Sequence, residues 1–213
     1  IVNPGKKDFR DPKVSWYAPT KKWILTLAVY DHIEFYSSPN LKQWTKESEV
    51  GYEGMGVHDG NWECPDLFSM EVNGKQHWVL LVSVNPGAPN KGSGTMYFVG
   101  DFDGHEFKPY DRKEKWLDYG PDNYAAVTFA NTENQKILIG WMSNWNYAQV
   151  VPTTIWRSTM TVPRNLNLVS LNNTFYLKNT PASSLNKVTA INKVFKSLSL
   201  HQGEAIANIT QKN

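Results

Sequence analysis

The sequence predicts an all-β protein built from repeated antiparallel sheets, the arrangement of a β-propeller. Aromatic residues make up 13% of the 213 residues, alongside 14 glycines and 12 prolines, and aromatic side chains are enriched in strands. No segment of 12 or more residues before position 180 has clean helical periodicity. A pattern of strand, polar turn and aromatic residue also repeats within the chain.

Short apolar runs bounded by turn residues define the individual strands. Two runs flank a turn at 30–32 and predict a first hairpin, and Asn73-Gly74 separates the runs of a second. Asn-Gly between apolar segments is a strong signal for a two-residue hairpin loop. The predicted strands cover 23–29, 33–37, 70–72, 77–82, 96–100, 126–130 and 137–141.

The internal repeat relates segment 35–44 to segment 98–107, at an offset of 63 residues. It aligns Asn40 with Asp103 and places an aromatic residue at the end of each segment. A second pair, Trp23 and Trp78, lies at an offset of 55. Repeated four-stranded units of about this length are typical of propeller blades, each of which needs neighbours to bury its faces. Two unrelated hairpins with similar turns are the alternative.

The composition changes near residue 170, where aromatic residues become rare and Asn, Ser, Lys and Thr take over. We therefore divide the chain into a partial propeller at 1–170 and a second region at 171–213. The composition predicts a linker at 179–184 and strands around 197–209. Forty residues with so few apolar groups are too few to fold alone, so this region predicts the truncated start of another domain.

Charge and cysteine content exclude several classes of function. The chain has 22 Lys and Arg against 20 Asp and Glu, a balance that predicts neither a nucleic-acid nor a membrane partner. The single cysteine, Cys64, excludes an intrachain disulfide and a cysteine zinc site. The five histidines lack metal-ligand spacing, so we interpret them as surface or loop residues and expect neither a metal nor a cofactor. Two N-glycosylation sequons begin at Asn172 and Asn208.

Two carboxylates, Asp11 and Glu63, stand beside aromatic or proline residues near strand ends. A glycosidase needs two carboxyl groups of different acidity, one to donate a proton and one to face the developing oxocarbenium ion. Arg10 is placed to support Asp11. The alternatives are structural: Asp-Pro commonly starts a turn, and Glu63 could end a strand beside a buried thiol. Trp141 and Trp145 could form a sugar platform or belong to the core.

Five short motifs follow one another along the chain. They are Arg10-Asp11-Pro12, Glu63-Cys64-Pro65, Asn85-Pro86-Gly87-Ala88-Pro89, Asp118-Tyr119-Gly120 with Tyr124-Ala125, and Trp141-Met142-Ser143-Asn144-Trp145. Yeast invertases carry motifs of this kind in this order and rough spacing. Over about residues 1–170 the chain thus resembles glycoside hydrolase family 32, the β-fructofuranosidases, inulinases and levanases. The resemblance implies a five-bladed β-propeller followed by a β-sandwich.

The resemblance also implies roles for single residues. Glu63 would be the general acid/base of a retaining enzyme, and Asp11 the transition-state stabiliser, supported by Arg10. The fructose pocket would be lined by Asp118, Tyr124 and Trp141, and the leaving-group side by Asn61, Asn85 and Asn144. The substrate would be sucrose or a fructan and the protein would be secreted, with homo-oligomers of the full-length protein left open.

One expected motif is missing from the 213 residues. The family's nucleophile is an aspartate in an Asn-Asp-Pro-Asn-Gly motif, and no such motif occurs here. We therefore expect a fragment without the first blade and without useful activity of its own. Two alternatives remain: a propeller that binds fructan without cleaving it, and a fructosyltransferase, which shares every motif.

Overall fold

A computed structural model describes residues 1–52, 54–188 and 199. The chain divides into two compact units, Ile1–Ala182 and Ser183–Asn213. The described part of the first unit consists of strands and loops with one short 3-10 helix at Ala18–Thr20. In the second unit the structure describes a 3-10 helix at Ser183–Lys187. No helix in the described residues is long and apolar enough to cross a membrane.

Three antiparallel sheets form the first unit, which confirms the all-β prediction. In each sheet four strands follow one another in chain order, and the second sheet has a fifth strand, β9, paired with β7. Sheet 1 contains β1 (Phe9–Tyr17), β2 (Lys22–Val29), β3 (His32–Ser38) and β4 (Thr45–Val50). Sheet 2 contains β5 (Asn61–Val72), β6 (Lys75–Asn85), β7 (Gly94–Phe102), β8 (Phe107–Pro109) and β9 (Lys115–Trp116). Sheet 3 contains β10 (Tyr124–Thr128), β11 (Lys136–Trp141), β12 (Arg164–Leu171) and β13 (Thr174–Pro181).

The internal repeat corresponds to equivalent places in sheets 1 and 2. Trp23 lies in the second strand of sheet 1 and Trp78 in the second strand of sheet 2. The turns that follow the third strands share one hydrogen-bond pattern. Asn40 Oδ1 accepts two backbone N–H groups at 3.0 Å, and Asp103 Oδ1 accepts two at 2.8 Å. The repeat is therefore a repeat of the sheet itself, as blades require; five blades and a sandwich stay predictions.

Sheet 3 extends beyond the predicted domain boundary. Residue 170 falls inside β12, which pairs with β13 at eight positions from Arg164↔Pro181 to Leu171↔Thr174. Because β12 also pairs with β11, the strand β13 belongs to the same sheet as the earlier strands. The strands predicted around 197–209 lie outside the described residues, apart from position 199, and stay a prediction.

Sheet 2 is covered by apolar side chains on both faces. Along β6, Leu80 and Val82 belong to one buried cluster, which also contains Ile33 of sheet 1. Val79 and Leu81 belong to a second cluster, which reaches Leu138 and the other apolar residues of sheet 3. Because successive side chains of a strand point to opposite faces, the continuous apolar run predicted at 77–82 is what a strand between two packed layers needs.

A buried carboxylate joins the first strands of the three sheets. Asp66 of β5, only 1% exposed, accepts hydrogen bonds from the Thr128 backbone N–H at 2.6 Å and hydroxyl at 2.8 Å. The ammonium of Lys13 in β1 lies 3.4 Å from Asp66 and donates to the Thr128 carbonyl at 2.6 Å. The strands β1, β5 and β10 thus converge on one set of polar contacts, which we call the Asp66 junction.

We predict that replacing Asp66 with alanine lowers the free energy of unfolding by about 3 kcal/mol. The change leaves Lys13 and the two Thr128 donors without their acceptor in a buried place. Urea denaturation monitored by tryptophan fluorescence measures the effect. Asp111→Ala is the control, because Asp111 is exposed and its loss should change stability by no more than about 0.5 kcal/mol. Equal midpoints for the two variants would contradict the prediction.

Sheet 1 contains a second buried carboxylate, Glu34, which is 0% exposed. It accepts hydrogen bonds from the ammonium groups of Lys6 and Lys46 and from the Tyr36 hydroxyl. Burial by itself raises the pKa of Glu34, but these three donors outweigh it and lower the pKa to about 2. These contacts tie the segment before β1 to strands β3 and β4.

The interpretation of all histidines as surface or loop residues is wrong for two of them. His32 lies in β3 and His77 in β6, with exposures of 6% and 4%. His32 begins β3, and His77 lies near the start of β6. An aromatic ring covers each imidazole. Tyr52 lies 4.5 Å from the His32 ring, and Phe175 lies 4.3 Å from the His77 ring. Each imidazole also keeps a polar partner: His77 Nδ1 lies 2.9 Å from the Tyr110 hydroxyl, and His32 Nδ1 lies 3.2 Å from Asp31 Oδ1.

We predict that Glu34 makes stability depend on acid pH. Its pKa in the folded state lies below the ordinary value of 4.5, so the stabilisation is complete above about pH 5 and is lost as the pH falls towards 2. The difference in free energy of unfolding between wild type and Glu34→Gln should shrink by roughly 2 kcal/mol over that range. Urea titrations at several pH values measure it. A difference independent of pH would refute the assignment.

Candidate active site

The first strand of each sheet has an irregular register at the same place. The pairing shifts between Arg10 and Lys13 in β1, between Glu63 and Asp66 in β5, and between Tyr124 and Val127 in β10. One residue inside each irregularity has a left-handed backbone, with φ of 59° at Asp11, 48° at Cys64 and 52° at Ala125. Bulges of this kind redirect side chains and are common beside active sites.

Proline follows two of these left-handed residues, as Pro12 and Pro65. Proline has no N–H to donate to a sheet, so it is tolerated where the ladder is already broken. The motifs Arg10-Asp11-Pro12 and Glu63-Cys64-Pro65 therefore specify the same local backbone in two sheets.

Glu63 is the centre of the site because donors from two other sheets hold its two oxygens. Arg10 Nη2 of β1 donates to Glu63 Oε1 at 2.6 Å, and the Tyr124 hydroxyl of β10 donates to Oε2. The carboxylate keeps 22% of its side chain exposed. The sequence predicted all three residues for one site, and the structure brings them into contact. Burial, reinforced by Glu63, raises the pKa of Tyr124 far above its ordinary value, so the hydroxyl remains a donor.

Asp11 lies beside the Glu63 cluster and accepts a hydrogen bond from the backbone of the neighbouring strand. Its Oδ2 accepts a hydrogen bond from the Cys64 N–H at 3.0 Å, and the Arg10 Nε lies 3.9 Å away. The left-handed conformation of Cys64 points its N–H towards Asp11 rather than into a regular ladder. The side chain of Asp11 is 29% exposed. The two candidate carboxylates thus share Arg10 and face the same open end of the sheets.

The Cys64 thiol is part of this cluster but is not a nucleophile. Its sulfur lies 3.7 Å from Asp11 Oδ2. Burial, together with the charge of Asp11, raises the pKa of the thiol to about 12. Since only the thiolate attacks or binds metals, Cys64 acts through its backbone N–H and its volume.

One member of the cluster, Asp8, was missed by the sequence interpretation. Its Oδ1 accepts a hydrogen bond from Arg10 Nη1, and its Oδ2 accepts one from Asn61 Nδ2 at 3.2 Å. The predicted site residue Asn61 therefore lies against Asp8. Asp8 lies in the turn before β1 with a left-handed backbone, so the alternation of side chains along a strand could not indicate it.

The predicted tryptophan platform lies next to Tyr124. Trp141 pairs with Tyr124 across β10 and β11, and their ring centroids are 6.2 Å apart. Trp145 lies 5.0 Å from Trp141 and is 48% exposed. This exposure favours the platform over the core interpretation, because a core tryptophan would be covered.

The remaining predicted residues belong to neighbouring networks. Asp118 accepts hydrogen bonds from Arg164 Nη1 at 2.6 Å and from the Gly120 N–H at 2.7 Å. Burial by itself raises the pKa of Asp118, but these two donors outweigh it and lower the pKa. The hydrogen-bond donors to Asp118 therefore come from sheet 3 and from its own turn rather than from the Glu63 cluster.

Asn85 and Asn144 meet at Ser93 rather than at the carboxylates. The Ser93 hydroxyl donates to Asn85 Oδ1 at 2.9 Å. Asn144 is 1% exposed; its oxygen accepts the Ser93 N–H at 3.3 Å and its amide donates to the Pro121 carbonyl at 2.9 Å. In the structure Asn144 thus anchors three loops, while direct contact of either asparagine with a sugar stays a prediction.

Possible metal ligands meet in one place outside the site, among the described residues. His32, Glu34 and Glu49 offer ligand atoms within 4.8 Å of one another. Lys6 and Lys46 already donate to the Glu34 Oε1 oxygen. A divalent cation would have to displace both ammonium groups, so the cluster is an ion-pair network rather than a metal centre.

A cavity of about 710 Å³ lies at the other ends of β5 and β6, by their connecting turn. It contains none of the predicted site residues. Its walls come from Val72, Asn73, Lys75, His77, Val99, Tyr110, Asp111, Lys115, Ser170, Asn173, Thr174 and Phe175. The carboxylates instead occupy the opposite strand ends, so this cavity does not mark the candidate site.

The family model of the glycosyl hydrolases family 32 N-terminal domain matches residues 1–181. The chain belongs to glycoside hydrolase family 32. This confirms the resemblance drawn from the five motifs. The matched residues contain all three sheets and the whole Glu63 cluster, so the geometry above is that of a family 32 domain.

Relatives of this family 32 chain include a levanase from Bacillus subtilis, 48% identical over 94% of this chain and 31% of the relative. Invertase 1 from Saccharomyces cerevisiae is 44% identical over 87% of this chain and 35% of its own length. The solved exo-inulinase from Aspergillus awamori is 37% identical, with a TM-score of 0.77, over 82% of this chain and 36% of that one. The chain spans about a third of the length of these proteins.

We predict that Cys64 reacts very slowly in the folded protein. With a pKa of about 12, its thiolate fraction at pH 8 is far below that of an ordinary thiol. Alkylation by iodoacetamide should be at least about 100-fold slower than in guanidinium chloride. Mass spectrometry measures one adduct, since the 213 residues hold a single cysteine. Equal rates with and without denaturant would contradict the prediction, because they would mean that the folded thiol is as accessible and as ionised as an unfolded one.

Proposed function

We propose that this domain carries the acid/base half of a retaining β-fructofuranosidase site, which hydrolyses terminal β-D-fructofuranosyl bonds of sucrose and related fructans. One observation carries the proposal: the partly exposed carboxyl of Glu63 is held by Arg10 and Tyr124, which come from two other sheets. A carboxyl fixed on both oxygens yet open to solvent is suited to pass a proton to a bound substrate.

In this proposal Glu63 protonates the glycosidic oxygen as the bond to fructose breaks. A covalent fructosyl intermediate then forms on a second carboxylate, and Glu63 removes a proton from the water that releases it. The Tyr124 hydroxyl and the Arg10 guanidinium keep the Glu63 carboxyl in one orientation through both steps.

Asp11 binds the sugar rather than attacking it. Its Oδ2 is fixed by the Cys64 N–H, so the carboxylate is positioned to accept hydrogen bonds from fructose hydroxyls as charge develops on the ring. Trp141 and the exposed Trp145 offer ring faces for the apolar side of the sugar. Asn61, held by Asp8, lies on the side of the leaving group.

Retention requires a second carboxyl about 5–5.5 Å from the acid/base group. The 213 residues contain no Asn-Asp-Pro-Asn-Gly sequence that would supply the family's nucleophile. We therefore propose that these residues alone do not turn over sucrose. An assay of the purified 213 residues tests this directly, because detectable sucrose turnover would contradict it. Sequencing the coding DNA before Ile1 asks the separate question of whether an in-frame motif supplies the aspartate.

The relatives support the substrate class and the location. They are named levanase, invertase and extracellular exo-inulinase. A fructofuranosidase from Schwanniomyces occidentalis, 36% identical and solved with fructose, has a TM-score of 0.76. We propose secretion on the same basis. Asn172 of the first sequon is exposed in the turn between β12 and β13, and Asn208 lies outside the described residues.

We predict that Glu63→Gln abolishes sucrose hydrolysis by the protein expressed from its complete reading frame. Losing the proton donor should lower kcat by at least about 100-fold. The loss should be smaller on an aryl fructofuranoside, whose good leaving group needs no proton. Glu71→Gln is the matched control, because Glu71 is exposed in the same strand β5. Product analysis by chromatography measures the rates.

Other outcomes separate the alternatives. A Glu63→Gln protein that hydrolyses sucrose at the wild-type rate would disprove the role of Glu63. A wild type that binds inulin or levan in calorimetry, but releases no fructose, would make the protein a fructan-binding module. Longer fructans appearing in place of free fructose would make it a fructosyltransferase.

A further inference from the structure

Asp8 precedes β1 and contacts two residues of the proposed site at once. One oxygen accepts a hydrogen bond from Arg10 Nη1 and the other accepts one from Asn61 Nδ2 at 3.2 Å. Its side chain is 22% exposed. Neither the five motifs nor the roles implied by family membership include this residue.

The contacts place the Arg10 guanidinium among three carboxylates, since Asp11 Oδ2 also lies 3.9 Å from Nε. Nη1 faces Asp8, and Nη2 donates to Glu63 Oε1 at 2.6 Å. A guanidinium presents its donors in a rigid plane, so fixing one terminal nitrogen fixes the direction of the other. A shared cation is also less effective on each partner than an unshared one, because the second carboxylate offsets its charge.

We propose that Asp8 is a positioning residue for Glu63, acting through Arg10. It aims the guanidinium at the Glu63 carboxyl and, with Asp11, offsets the positive charge beside it. This inference rests on the proposed function, in which Glu63 is the proton donor.

Other groups also lie next to Glu63 and Arg10. Two uncharged groups adjoin Glu63, since burial raises the pKa of the Cys64 thiol to about 12 and, with Glu63 itself, raises the pKa of the Tyr124 hydroxyl. Charged and titratable groups in contact with Glu63 or with its partners include Asp11 and Arg10 from β1, Cys64 from its own strand and Tyr124 from β10.

The backbone at Asp8 permits a clean substitution. Its φ of 52° lies in the left-handed region, which aspartate and asparagine enter more readily than other side chains. The Asp8 carbonyl also accepts the Tyr30 N–H at 3.4 Å, and this contact does not involve the side chain. Asp8→Asn therefore removes the charge while it keeps the shape and the turn, and its one amide oxygen can still accept the hydrogen bond from Arg10.

The test compares pH profiles of kcat/KM for sucrose hydrolysis by the protein from the complete reading frame. We expect Asp8→Asn to move the basic limb by about 0.5 to 1 pH unit towards acid, because only Asp11 then offsets the charge of Arg10 beside the Glu63 carboxyl. Asp8→Glu, which restores the charge, should return most of the shift. Asp111→Asn is the control: it makes the same chemical change at an exposed site near the distal cavity and should leave the profile in place.

The outcomes separate the inference from the proposed function. If wild type is active, Glu63→Gln is inactive and the Asp8→Asn profile overlays that of wild type, the inference alone fails. An overlaid profile with a lower kcat would show a merely structural role and would also overturn it. An inactive wild type, or an active Glu63→Gln, overturns the proposed function and the inference with it. Thermal melts check folding, and Asp8→Ser serves as the neutral variant if Asp8→Asn does not fold.

Discussion

The buried carboxylate of Asp66 is the contact on which the arrangement of the site depends. It joins strands β1, β5 and β10 through Lys13 and Thr128. Each of these strands carries a site residue a few positions earlier in the chain, at the register irregularity. Because a strand advances about 3.3 Å per residue, fixing the strands at the junction also fixes the distances among the site residues. A polar junction can do this where apolar packing cannot, since hydrogen bonds specify direction as well as proximity.

The bulges bring the functional groups of the converging strands into contact. In a regular sheet, the side chains of each first strand would alternate between the two faces of its sheet. Left-handed residues at Asp11, Cys64 and Ala125 break the alternation, so that Glu63 and Tyr124 meet and the Cys64 N–H reaches Asp11. Such backbone conformations are unfavourable for residues with a side chain. Their recurrence at equivalent places in three sheets indicates that the site, rather than the stability of any one strand, requires them.

Most of the fold could be predicted from local patterns, and the errors have a common cause. The hairpins around Asp31 and Asn73-Gly74 and the repeat linking Trp23 to Trp78 depend on residues close together in sequence, where turn chemistry and alternation act directly. The histidines were misplaced because their burial depends on rings from elsewhere in the chain, such as Phe175 against His77. The domain boundary predicted at 170 from composition falls inside β12, because β13 is stabilised by pairing with β12 rather than by its own composition.

For the site, the sequence by itself determined which functional groups are present: Arg10, Asp11, Glu63, Tyr124 and Trp141 carry recognisable groups in recognisable motifs, and all of them lie in or beside the bulged strand ends. Only the tertiary structure decided which groups touch. It brought Asp8 to Arg10 and Asn61, turned Asn144 into a loop anchor and paired Asp118 with Arg164. The reason is physical: a residue's type fixes what it can donate or accept, whereas a contact such as Glu63 with Tyr124, 61 residues apart, exists only once separate sheets have packed against each other.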